Sequence, residues 1–157
     1  MSELHYRLAQ EGDLPAVRAL WGLLDQFHRG LGLAFPKTPE SEEKWQASFE
    51  RTLGRFSHLW VAEQDGQILG FLLARIKQSP GYLGGQQVGE ISDLYVSESL
   101  RGQGTGKELV QLAMQYFAEA AVHSVEVQIQ AGNEGGLKFW HEQGFDLDLT
   151  QVRKVLK

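Results

Sequence analysis

The order of apolar and polar positions alternates between short strand-like runs and longer helical ones. Leu4–Ala9 alternates well enough for a first strand. Asp13 then offers an N-cap, with Pro15 in the first turn, and Val17, Leu20, Trp21, Leu24 and Phe27 or His28 follow at helical spacing. That predicts an amphipathic helix from Asp13 to about Arg29. Residues 30–39 hold two glycines and two prolines and read as a loop. A second helix is expected over Glu40–Leu53, with Trp45, Phe49 and Leu53 on one face. His58–Gln64 and Gln67–Lys77, joined by Asp65-Gly66, predict a β-hairpin. After a Gly-rich connection at 79–85, Val88–Val96 reads as a further strand. Gly102–Gly106 leads into a helix to about Ala121, with Leu109, Leu112, Ala113, Tyr116, Phe117 and Ala120 as its buried stripe. Val125–Ile129 is a short buried strand, Asn133 begins a helix that Gly144 ends, and Phe145–Val155 supplies one or two last strands.

The sum is an α/β (α+β) fold: a mixed, mostly antiparallel sheet of roughly six to seven strands with about four helices packed on it. With 157 residues and no divisive linker, one domain over 1–157 is expected. Composition changes this picture little. The chain carries a formal charge of −5 and has no cysteine, which excludes thiolate chemistry and suits a cytoplasmic setting. Lys and Arg are scattered, which argues against a nucleic-acid surface. No apolar run approaches the roughly 18 residues of a membrane span, and the first dozen residues lack a signal-peptide core. The five histidines show no metal spacing, so no metal is expected.

The segment with the most chemistry is Leu94-Tyr95-Val96, then Arg101-Gly-Gln-Gly-Thr-Gly-Lys107. A strand enters a turn of alternating glycines that opens directly into a helix. Glycines let backbone N–H groups converge, and the helix N-terminus adds partial positive charge, so such a turn suits phosphate. A Walker A loop requires glycine where Arg101 stands and a hydroxyl where Glu108 stands, and the dinucleotide pattern Gly-x-Gly-x-x-Gly is also missed.

Arg101-x-x-Gly104-x-Gly106 after Leu94-x-Val96 instead resembles the pyrophosphate motif of the GNAT superfamily of N-acetyltransferases. Downstream, Asn133, Gly136, Phe139, Gly144 and Phe145 resemble the family's second motif, with Trp140 in the place of its tyrosine. The likeness runs over essentially the whole chain. It implies acetyl-CoA as co-substrate, an amine acceptor (a small amine or polyamine, or a peptide amine), and an acetyl transfer by direct attack in a ternary complex. A non-catalytic acyl-CoA-binding module of the same fold is the alternative, and a homodimer stays open.

The resemblance implies that two strands, Val88–Val96 and Val125–Ile129, splay to admit pantetheine along Leu94, Tyr95 and Val96. Arg101, Gly102, Gln103, Gly104, Thr105, Gly106 and Lys107 would hold pyrophosphate, with Asn133 near the arm or capping its helix. For the base, Glu90 stands eleven positions before Arg101, as the glutamate of histone-acetylating members does. Asp93, His28 and His58 are its rivals. Trp140 would face the leaving sulfur, although an indole donates a hydrogen bond and no proton. Trp21, Trp45, Trp60, Phe49 and Phe71 read as core.

Overall fold

The structure is a computed structural model that describes residues 3–156. Five strands form one sheet in the order β1-β2-β3-β4-β5: His5–Leu8, Ser57–Gln64, Gln67–Gln78, Gln87–Val96 and Ser124–Val127. The first four are antiparallel neighbours, and β5 lies parallel to β4. The β2–β3 hairpin closes on Asp65 and Gly66, both at positive φ (53° and 76°), the conformation a two-residue turn between twisted strands requires.

Four helices cover the two faces. Helix α1 (Leu14–Gly30) and α2 (Ser41–Glu50) pack on one, where Val17, Leu20, Leu24 and Phe49 meet Leu59, Val61, Phe71 and Leu73. Helix α3 (Thr105–Glu119) and α4 (Glu134–Glu142) belong to the other. There Leu109, Ala113, Phe117 and Trp140 meet Trp60, Leu72, Ala74 and Ile91. Neighbouring strand residues thus divide between two cores, as the twofold period of a strand demands.

One expectation is corrected. Residues 145–156 form no strand, so the sheet has five strands rather than six or seven. Leu147, Leu149, Val152, Val155 and Leu156 are exposed there, and 146–156 make no backbone–backbone hydrogen bond among the described residues. Alternation marks a segment able to pair; a strand also needs a neighbour in reach. Asp13 stands at the N-cap of α1 as expected, but its side chain makes no capping hydrogen bond to the helix. Its carboxylate is taken by Arg7 Nη1 at 2.7 Å and by the Gln10 N–H at 2.7 Å, which ties β1 to the approach of the helix.

Candidate active site

The site is organised by an irregularity in β4. Its register with β3 pairs Leu73 with Asp93 and Ala74 with Ile91, so Ser92 is an extra residue, a β-bulge. In a regular strand, residues three apart point to opposite faces. The bulge reverses that parity and puts Glu90 and Asp93 on the same face, toward α1 and α2. The Ser92 hydroxyl is held by Leu73 O at 3.3 Å and by Arg75 Nε at 3.4 Å.

Pairing with β5 stops at the same place. Val88–Ile91 match Ser124–Val127, and β4 then continues to Val96 without a partner on that side. The Ser97 N–H donates to Leu69 O on β3 at 2.8 Å. Backbone groups alternate along an antiparallel ladder, so Tyr95 also points toward β3, while Leu94 and Val96 turn theirs to the vacated side. Val96 O accepts from Arg101 Nε at 3.1 Å. The expected splay is present, and its free edge consists of Leu94 and Val96 rather than Tyr95. The Tyr95 ring lies instead on the α1/α2 face, with the Arg101 guanidinium 5.6 Å from its centroid.

Beyond the splay, the chain turns through Gly102 (φ 81°) and Gly104 (φ 82°) into α3. Neither glycine has an atom within 4 Å of where a Cβ would stand, so the turn faces open space. No side chain caps α3. The first-turn N–H groups of Thr105, Gly106 and Lys107 therefore lack intrahelical acceptors, and an anion at this end would satisfy them. The Thr105 side chain is 1% exposed and its hydroxyl has no partner, so this residue offers its N–H to the turn. Gln103 Nε2 bonds Ser99 O at 3.0 Å, and Lys107 is exposed. Gly106 is the point of closest packing, where a Cβ would stand 3.3 Å from the Phe139 ring of α4. These groups fit a pyrophosphate followed by an amide-bearing arm.

Asn133 caps α4 by accepting from the Gly136 N–H at 2.9 Å. A Cβ on Gly136 would stand 2.4 Å from that side chain, which explains glycine in the family's small-residue position. Trp140 is 7% exposed and lies edge-on between Phe139 and Phe145, with centroids at 5.1 and 5.2 Å. It is a core residue in this structure.

The two carboxylates of β4 differ sharply. Glu90 pairs with Lys77 at 3.2 Å, and Lys77 also holds Glu126 of β5. Asp93 is half-buried, with protein packed around most of it. Burial pushes its carboxyl up to about 7, against the opposing pull of the Trp45 N–H, Arg75, Trp21 and Ser92. The Trp45 Nε1–H donates to Asp93 Oδ2 at 3.2 Å, and the Trp21 and Trp45 rings stack at 5.2 Å. These tryptophans were expected as core. They do pack on the α1/α2 cluster, yet their polar edges meet a carboxylate, which apolar spacing cannot reveal. His58 is directed elsewhere, its ring 3.9 Å from that of Tyr116 on α3, and burial lowers its basicity. His28 is likewise lowered by burial and lies near Asp25 on α1.

Among the described residues no cluster of His, Asp or Glu could hold a metal, and no helix is long and apolar enough to cross a membrane. A family model described as the acetyltransferase (GNAT) family matches residues 20–145. The chain is 27% identical over 141 residues to a putative phosphinothricin acetyltransferase of Bacillus subtilis, covering 88% of this chain and 82% of that protein. It is 26% identical over 95 residues to a mycothiol acetyltransferase of Amycolatopsis mediterranei, covering 60% of this chain but only 32% of that protein. The BH1408 protein of Bacillus halodurans superposes with a TM-score of 0.82 at 22% identity, over 97% of this chain and 99% of that one. An aminoglycoside N-acetyltransferase, AAC(6')-Iy in complex with CoA, superposes with a TM-score of 0.76 at 19% identity, over 100% of this chain and 96% of that one. With the family model spanning most of the sequence and the splayed strands leading to an uncapped, glycine-lined helix start, this chain belongs to the GNAT family of acetyltransferases.

Proposed function

We propose that the protein transfers an acetyl group from acetyl-CoA to a primary amine by direct attack, with Asp93 as general base. The observation that carries this reading is the half-buried Asp93 carboxylate on β4, bonded by Trp45 beside the unpaired Leu94–Val96 edge, with its pKa pushed up to about 7 by desolvation. A catalytic base works best when its pKa lies near the working pH. An ordinary alkylammonium has a pKa of about 10.4, so something must take its proton before attack. Glu90, engaged by Lys77, fits a supporting charge better than a base.

In this scheme the exposed N–H groups of the turn and of the first turn of α3 bind pyrophosphate. Leu94 and Val96 hydrogen-bond the amide-bearing arm as a missing strand would. Asp93 accepts a proton from the bound ammonium. The freed nitrogen then forms the C–N bond, while the Val96 N–H stabilises the charge that grows on the carbonyl oxygen. The C–S bond breaks, the thiolate departs, and one of the two protons still on nitrogen passes to solvent, leaving a secondary amide. A thiol pKa of about 8.5, with cysteine as the analogue, allows departure without a side-chain acid. That suits a chain whose Trp140 packs in the core.

Thermal unfolding with acetyl-CoA, CoA and NAD, followed by thiol release over a panel of ethanolamine, putrescine, spermidine and a lysine peptide, tests the reading. A ligand at about 100 times its dissociation constant adds roughly 2.7 kcal/mol, so acetyl-CoA and CoA should raise the midpoint by several degrees and NAD should not. At least one amine should release thiol. Stabilisation without turnover of any amine would leave a binding module, and no stabilisation would remove the whole reading.

A further inference from the structure

Asp93 is held by two helices as well as by Arg75 of β3 and Ser92 of its own strand. Trp45 of α2 donates its Nε1–H at 3.2 Å, and Trp21 of α1 adds a second N–H toward the same carboxylate. The rings stack at 5.2 Å with an angle of 13° between planes, so each fixes the other's direction. Trp45 is further wedged edge-on against Phe49 at 4.8 Å and Phe71 at 5.6 Å. Arg75 of β3 bonds Ser48 O and Oγ on α2, which pins the same helix to the sheet from the other side of the bulge. A carboxylate this enclosed favours its neutral form unless donors compensate. An indole N–H is a donor that never gives up its proton, so it stabilises the anion without competing as an acid.

We propose that Trp21 and Trp45 are positioning residues, whose indole N–H groups fix the Asp93 carboxylate and keep it ionised for proton transfer. This rests on Asp93 being the base. The other charged and titratable groups of the surrounding elements have their own engagements. On β3 Arg75 attracts Asp93, and on β4 Glu90 pairs with Lys77. On α1 Asp25 is bonded to Arg29 with His28 alongside, and on α2 Glu42 lies against Gly22 of α1. Of these, Arg75 favours the ionised carboxylate in the same direction as the indoles, as does the Ser92 hydroxyl, and both remain when an indole is removed.

Two measurements test the assignment. The first is the pH profile of kcat/KM for Trp45→Phe and Trp21→Phe, with whichever amine of the panel turns over best. Phenylalanine keeps an aromatic ring and removes the donor. A lost hydrogen bond to a charged group corresponds to a shift of about one to two pH units. The acid limb of Trp45→Phe should therefore move upward by about that much, and that of Trp21→Phe by less, with rates rejoining the wild-type plateau at alkaline pH. A plateau lowered at every pH with an unmoved limb would mean that the indoles only pack. The second measurement needs no turnover: a pH titration of the indole N–H resonances in the whole protein labelled with nitrogen-15 at tryptophan. Two of the four indole signals should shift together with a midpoint near neutral pH, and stay flat in Asp93→Asn. If all four are flat in the wild type, the proposal is overturned whatever the activity. If two titrate but no amine is acetylated, the positioning stands and the catalytic reading falls.

Discussion

At the scale of single residues, the proposed base Asp93 costs stability. Its folded pKa, about 7, lies above that of an exposed aspartate. Between those two values the folded protein holds a proton that the unfolded chain has released, so this group makes stability fall as pH rises through that window. Above neutral pH the penalty is complete. Asp93→Asn removes the titration while keeping an acceptor for Trp45. The variant should melt higher than wild type at pH 8, and the gap should shrink or vanish by pH 4. Thiol release by the same variant should fall about 10²- to 10⁴-fold with acetyl-CoA binding intact, as expected when a general base is lost. Melting curves at the two pH values and initial rates check both halves. From sequence, Glu90 and Asp93 were both visible as candidates, and the family's spacing favoured Glu90. The ion pair with Lys77 and the enclosure of Asp93 are what separate them, and both depend on neighbours far away in the chain.

At the scale of elements, most helices and strands could be read from periodicity because each has one face committed to a core. Helix α3 shows this well: Leu109, Ala113 and Phe117 were expected inside and are fully buried. The hairpin was marked by Asp65-Gly66, and the end of α4 by Gly144 at φ 91°. The last segment was misread because Leu147 and Leu149 alternate as a strand would, while a ladder depends on a second strand. The splay was implied by family likeness, but the division of labour within it was not. That Leu94 and Val96 face outward follows only from the register with β3. The turn after it makes a separate prediction. Gly104 sits at φ 82° with open space beyond it, so Gly104→Val should strain the backbone by roughly 1–2 kcal/mol and push a side chain into the path of the phosphates. Acetyl-CoA binding, measured by calorimetry, should weaken by about tenfold or more, whereas a surface change such as Glu119→Gln at the far end of α3 should leave it alone.

At the scale of the whole molecule, one sheet separates two tasks. The core beneath α3 and α4 builds the edge and turn suited to CoA, and the core beneath α1 and α2 encloses the carboxylate. Both meet on β4 at Ser92. A strand has only two sides, so its chemistry depends on whether a position counts as odd or even, and one surplus residue resets the count. Removing Ser92 would leave Glu90 and Asp93 two positions apart and still on one face, with Ile91 opposite Ala74 and Glu90 opposite Arg75 as before. Such a deletion should therefore fold, as judged by circular dichroism, and lose only the contacts of the Ser92 hydroxyl with Leu73 O and Arg75, and Ser92→Ala should fold and bind acetyl-CoA. Descendants of this sequence could therefore drop that one letter of β4 and still spell the same two faces.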